Sequence, residues 1–177
     1  MAVRHRFKVE EVLALSALEP EARLELLEGE VYEMAPISSE HAGLLDWLLQ
    51  TLATRTLGQA HIRVQSPLYL SQESLPIPDL LLLKPREDFY THSHPTPQEV
   101  LLLVEVGFSS YAYDRGVKLP LYARHGVPEV WLWGQEGLEV YREPQETAYR
   151  HRILVKKGER IAPLLLPQAE ILWSPPL

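Results

Sequence analysis

The chain has 177 residues and a mass of 20.3 kDa, the length of one domain able to bury about 70 % of its unfolded surface without cross-links. Its composition, 46 % hydrophobic and 23 % charged, excludes a disordered chain, and zero Cys excludes a disulfide scaffold, a Cys-ligated zinc and a thiol nucleophile. A net charge of −7 argues against a nucleic-acid binder, yet it is local: residues 10–40 hold nine Glu and one Arg, and the rest sums to +1.

The start, Met1 to Arg6, carries charge with no apolar run behind it, so no secretory signal is expected. No run approaches a membrane span, and a reducing cytoplasm is the expected location. Lys8 to Leu18 reads as a short amphipathic helix on Val9, Val12, Leu13 and Leu15, with Pro20 after it. Leu24 to Met34 alternates around Gly29 and predicts a β-hairpin. Ser38 or Ser39 caps the next helix, with Glu40 in its first turn. Leu44, Leu48 and Leu52, with Leu45 and Leu49, give it one apolar face as far as Gly58.

Strands are expected at His61–Leu70 and Ile77–Leu83, then an exposed, proline-bearing loop over 84–98. Val100–Val106 is apolar on both faces and predicts a central strand. A helix over Ser109–Arg124 connects it to a parallel strand at Val130–Trp133. Leu138–Arg142 and Tyr149–Val155 follow as antiparallel strands. The expected fold is α/β (α+β): a mixed β-sheet flanked by helices, with an N-terminal helix and β-hairpin. It forms one domain divided into an N-terminal part (1–36), a core (37–135) and C-terminal strands (136–177).

Two carboxylates stand in apolar strands: Asp79 in Ile77-Pro78-Asp79-Leu80-Leu81, and Glu105 in Leu103-Val104-Glu105-Val106. Burying either costs several kcal/mol unless it is paired or metal-bound. On neighbouring strands they repel, and a hard divalent cation relieves that, since Mg²⁺ is commonly held by one or two carboxylates with waters and substrate phosphate. Asp114 and Lys118 are four apart on the next helix and share a face. Taken singly, a strand-end Asp more often caps a turn, Glu105 more often pairs with an Arg or Lys, and Asp114 with Lys118 more often forms a surface ion pair; their joint order shifts the balance.

The order of these features resembles the PD-(D/E)XK nuclease superfamily and, more narrowly, its bacterial Uma-type restriction endonucleases. The resemblance runs from about Leu24 to Trp133. It rests on Glu25-Leu26-Leu27-Glu28-Gly29-Glu30, Ser39-Glu40-His41, Gln65-Ser66-Pro67, Pro78-Asp79, Glu105-Val106 and the run from Tyr113 to Trp131. It implies a restriction-endonuclease-like core and Mg²⁺-dependent hydrolysis of DNA phosphodiesters, with Mn²⁺ as a substitute cation and a homodimer as the assembly. Asp79, Glu105 and the Val106 carbonyl would hold the metal. Gly107 stands where the superfamily motif has its lysine, and Lys118 is the implied stand-in. The family often has an acidic residue where Phe108 stands. His41, Gln65, Asp114 and Tyr122 are supporting candidates, and Glu25, Glu30 and Glu40 are alternatives for a further acidic ligand.

Other features read blandly. His92-Ser93-His94 suits a solvated loop, and Trp131 and Trp133 suit core packing more than base stacking. Tyr111, Tyr113 and Tyr122 are candidates for the mouth of the site. The basic groups Arg4, Arg6 and Lys8, and Arg150 to Arg160, read as solvated faces. No Asn, no Cys, 15 Pro and an Arg excess suggest a heat-adapted source. Besides a DNA endonuclease, two readings stand: a catalytically weak nuclease-fold binding or regulatory module, and a metal-dependent hydrolase of a non-nucleic substrate.

Overall fold

The most apolar runs, Leu80–Leu83 and Val100–Val106, are adjacent strands in the computed structural model, which describes all 177 residues, and both are buried on both faces. They are β4 and β5 of a six-stranded sheet. Its other members are β3 (His61–Val64), β6 (Glu129–Gly134), β7 (Gly137–Gln145) and β8 (Ala148–Val155), in the order β3-β4-β5-β6-β7-β8. Only β5 and β6 run parallel, so only they need a crossover. The mixed α/β sheet flanked by helices is as the sequence predicts.

Helix α1 (Val9–Leu18) leads into the hairpin of β1 (Leu24–Leu27) and β2 (Glu30–Glu33). The turn needs positive φ at Glu28 and at Gly29, where a Cβ would also meet Arg6 Cβ at 2.9 Å. Helix α2 (Ser39–Thr56) starts at Ser38, whose hydroxyl accepts from the His41 backbone N–H at 3.1 Å. Its Leu44, Leu45, Leu48 and Leu52 pack on one sheet face with Leu102, Val104, Val106, Trp131 and Trp133. Leu81, Leu103, Val130, Leu132 and Tyr122 form the core on the other face. A two-stranded piece, β9 (Arg160–Ile161) with β10 (Ile171–Leu172), adds Ile171 to the first core.

Several expectations are corrected. The strand predicted over His61–Leu70 ends at Val64, because Gln65 adopts φ 48° and Pro67 lacks a donor. The strand predicted from Ile77 begins at Leu80, since Pro76 and Pro78 interrupt the ladder. Loop 84–98 is not exposed throughout: Tyr90 is buried under Arg86, whose guanidinium sits 3.9 Å from the ring centroid. The helix predicted over Ser109–Arg124 is broken into α3 (Tyr111–Tyr113), a π-helical turn (Asp114–Lys118) and α4 (Leu119–Arg124). That wider turn buries both Asp114 and Lys118.

Candidate active site

Four carboxylates and one lysine are buried at the end of the sheet where β4 starts and β5 stops. Glu25, Asp79, Glu105, Asp114 and Lys118 are 1 %, 6 %, 4 %, 5 % and 1 % exposed. They line one cavity of about 350 Å³ with Arg23, Tyr32, His41, Gln65 and Tyr113. Each arrives for a local reason. Asp79 precedes β4, and Glu105 is the sixth residue of β5, facing away from α2. Asp114 and Lys118 open and close the π turn, and Glu25 lies in β1.

Lys118 is the hub. Its Nζ is 2.8 Å from Glu25 Oε1 and 3.0 Å from Glu105 Oε2. An ammonium has three donors, so a third N–H is left for the cavity. Burial alone works against this charge, but Glu105, Glu25 and Asp114 together outweigh it and raise the Lys118 pKa. Glu105 also accepts from the Tyr122 hydroxyl at 3.3 Å. Tyr113 donates to Glu25 at 2.8 Å, and the Ile77 N–H donates to the other oxygen of Glu25, also at 2.8 Å. The hairpin is thereby fastened to the entry of β4.

Asp79 is held from three sides. Its Oδ2 accepts from the Val106 N–H at 2.8 Å, and its Oδ1 lies 3.0 Å from His41 Nε2 and 3.5 Å from Gln65 Nε2. Burial opposes the Asp79 charge, but His41, the Val106 amide and Lys118 prevail and lower its pKa. The same hydrogen bond raises the pKa of His41. Glu105 behaves oppositely. Burial raises its pKa well above the ordinary value, and Asp114, Asp79 and Glu25 add to this against the pull of Lys118. Asp114 is likewise raised by burial, although Ser110 Oγ donates to its Oδ2 at 2.7 Å.

The Asp79, Glu105 and Lys118 of the sequence reading are therefore brought together with His41, Gln65, Asp114 and Tyr122. Val106 contributes its N–H to Asp79, and its carbonyl lies at the same strand end. Among the three acidic alternatives, Glu25 is in the site. Glu30 instead accepts from Tyr32 and Arg4, and Glu40 is exposed. Of the tyrosines expected at the mouth, only Tyr113 lines the cavity: Tyr111 donates to Glu139 outside it, and Tyr122 is wholly buried with its hydroxyl on Glu105. The sequence reading missed Arg23, Ser109 and Ser110, which line the cavity.

Gly107 now has a physical reason. A Cβ there would lie 3.0 Å from Asp114 Oδ2 and 3.0 Å from Leu132 Cδ1. The helical turn that brings Lys118 to Glu105 occupies the space a residue-107 side chain would need. Phe108 turns toward the aromatic core, 5.6 Å from Trp133 between ring centroids, so no carboxylate is supplied there. Trp131 and Trp133 are buried in that core.

No group of three His, Asp or Glu side chains converges as a ready-made metal cluster. The donor chemistry nonetheless fits one hard cation. The buried carboxylates outnumber the lysine, their donor atoms are oxygens, and burial among like charges raises the Glu105 pKa, which a cation would relieve.

A family model described as "Uma2: Putative restriction endonuclease" matches residues 9–174. Among solved structures, a putative nuclease belonging to DUF820 from Anabaena variabilis is similar over 88 % of this chain and 88 % of its own, with a TM-score of 0.67 and 15 % sequence identity. At that identity the likeness shows the fold. No curated protein matches the chain.

Proposed function

This chain belongs to the Uma2 family, described as putative restriction endonucleases, and we propose from that membership and the pocket's chemistry that it is a Mg²⁺-dependent endonuclease of DNA, with Mn²⁺ as a substitute. The observation that carries the reading is the excess of buried carboxylate around Lys118 at the junction of β4 and β5.

Asp79 and Glu105, with the Val106 carbonyl, would hold the cation. When bound, the cation supplies a Lewis acid for a non-bridging phosphate oxygen and lowers the pKa of water. The chain's own residues do the rest. The Val106 N–H, His41 and Gln65 fix the carboxylate of Asp79, so its orientation precedes substrate. Lys118 holds Glu105 with one N–H and Glu25 with another, and its remaining N–H orients the attacking water or meets charge developing on the phosphoryl oxygens. The water oxygen forms the new bond to phosphorus and the ester P–O bond breaks. The water's proton passes to solvent, and the leaving alkoxide takes a proton in turn.

A second reading, a nuclease-fold module without activity, draws on one observation: the arginines of the basic groups at both ends are spent on ion pairs. Arg4 pairs with Glu30, Arg6 with Glu73, Arg150 with Glu143, Arg152 with Glu139 and Arg160 with Glu170. Incubation of supercoiled plasmid with Mg²⁺, Mn²⁺ or EDTA separates the two. The expected result is nicked and linear DNA with either cation and none with EDTA, with Asp79→Asn and Glu105→Gln slower by roughly 100-fold or more. A parent that never cuts, or variants that cut equally well, overturns the reading.

A further inference from the structure

The acidic segment 10–40 contains a single basic side chain, Arg23, and it lies against the candidate active site. Arg23 lines the cavity that holds Glu25, Asp79, Glu105 and Asp114. Its Nη2 is buried and has no hydrogen-bond partner. A guanidinium facing a cavity with five lining carboxylates would ordinarily be paired with one of them, yet Lys118 takes that role and Arg23 forms no ion pair. A buried, unpaired donor of this kind costs stability.

The backbone explains the placement. Arg23 lies two residues before Glu25, so the two share a face of the extended chain. The Met34 N–H donates to the Arg23 carbonyl at 2.7 Å, tying it to the open end of the hairpin. It is close enough to His41 for its charge to act on that imidazole, against the pull of Asp79. The remaining lining of this region is rich in donors: Ser38, Gln65, Ser109 and Ser110. The cavity thus combines a carboxylate set that attracts a cation with a planar cation that none of those carboxylates claims.

The geometry points to Arg23 as a phosphate-anchoring residue, whose guanidinium, at the cavity wall and paired with none of its carboxylates, binds a non-bridging oxygen of a DNA phosphodiester next to the candidate cation site. The fork of a guanidinium suits a phosphate, and a lysine cannot reproduce it. The identity of the ligand rests on the nuclease reading above. The anchor itself explains how an acidic chain grips a polyanion: the cation and Arg23 together offset the local carboxylates.

The test is equilibrium binding of a short fluorescent DNA duplex to the whole protein in Ca²⁺, an oxygen-ligated dication. Salt is varied, and the parent is compared with Arg23→Gln and Arg23→Lys. Arg23→Gln is expected to weaken binding roughly 10- to 100-fold and to reduce the slope of log K against log salt by about one. Arg23→Lys should keep the slope and lose part of the affinity. Equal binding and slope in Arg23→Gln, or no binding by the parent, overturns the assignment. So does weaker binding by both variants with unchanged slope and lowered melting temperature, which marks a structural role only. Plasmid cleavage is scored separately. A parent that cuts while Arg23→Gln binds normally sinks the anchor alone. A parent that binds through Arg23 and never cuts sinks the nuclease reading alone.

Discussion

Replacing Lys118 with Met keeps most of the buried volume and removes the positive charge. Lys118 is 1 % exposed, and its partners Glu25 and Glu105 lie 2.8 and 3.0 Å away, each almost wholly buried. Solvent does not screen such a group. Removing one partner of a buried pair leaves an uncompensated charge and costs about 3–5 kcal/mol. In a domain of this size 1 kcal/mol moves the melting temperature by about 2–4 °C, so the expected drop is roughly 6–20 °C at pH 8. The sign with pH follows from Glu105, whose folded pKa is already raised and rises further without Lys118. The stability conferred by its protonation is complete below the unfolded pKa of about 4.3 and is lost as pH rises through the folded value. The gap between parent and variant therefore widens from pH 5 to pH 8. Calorimetric melting at both pH values measures it. A gap that is flat or narrows with rising pH, or a variant as stable as the parent at pH 8, refutes the hub assigned to Lys118.

Restoring the motif lysine by Gly107→Lys should destabilise the protein by about 1–3 kcal/mol, because its Cβ meets Asp114 and Leu132 at 3.0 Å, and it should not raise cleavage; thermal melting and the plasmid assay check both. Burial raises the Glu105 pKa and a bound cation would favour its charged form, so affinity for Mg²⁺ or Mn²⁺ should rise with pH, read by calorimetric titration at several pH values; an affinity independent of pH contradicts this. Arg142→Ala strands Glu129, which is 0 % exposed and 2.7 Å from Arg142 Nε, and should cost about 3–5 kcal/mol while cation affinity stays unchanged. A change in affinity would place Glu129 in a coupling this account does not contain.

The sheet was legible in the sequence because its strands announce themselves. Val100–Val106 is continuous apolar residues broken by one Glu, and the strand after the connecting helix lies parallel to it for the reason a crossover requires. The π turn was not legible. Asp114 to Lys118 has the spacing of an ordinary helical face, which does not distinguish an α turn from the wider one observed. The strand ends at Val64 and Leu80 were overextended because alternation was weighed above the prolines beside them.

The candidate site was legible in part, and by a signal that is not specific. A carboxylate inside an apolar strand marked Asp79 and Glu105, and it equally fits Glu25 between Leu24 and Leu26. The same signal fits Glu129 and Glu139, which are also buried. Glu129 accepts from Arg142 and Trp131, and Glu139 from Arg152, Tyr111 and Tyr141, so neither needs a further cation. What separates the two classes is the partner's charge. The site carboxylates share one lysine, whereas each of the others has an arginine. Spacing along the chain does not encode that difference, since Arg142 and Arg152 reach their partners across strands. Arg23 went unmarked for the converse reason: an isolated Arg among nine Glu looks like surface charge until its place at the cavity wall, without an ion pair, is seen.

The most direct test of the central claim, that this buried acidic pocket is a single-cation site, is a crystal of the protein grown with Mn²⁺ and measured for anomalous scattering. The account expects one strong peak in contact with carboxylate oxygens of both Asp79 and Glu105, absent from crystals of Glu105→Gln. A peak elsewhere, or none at saturating Mn²⁺, contradicts it.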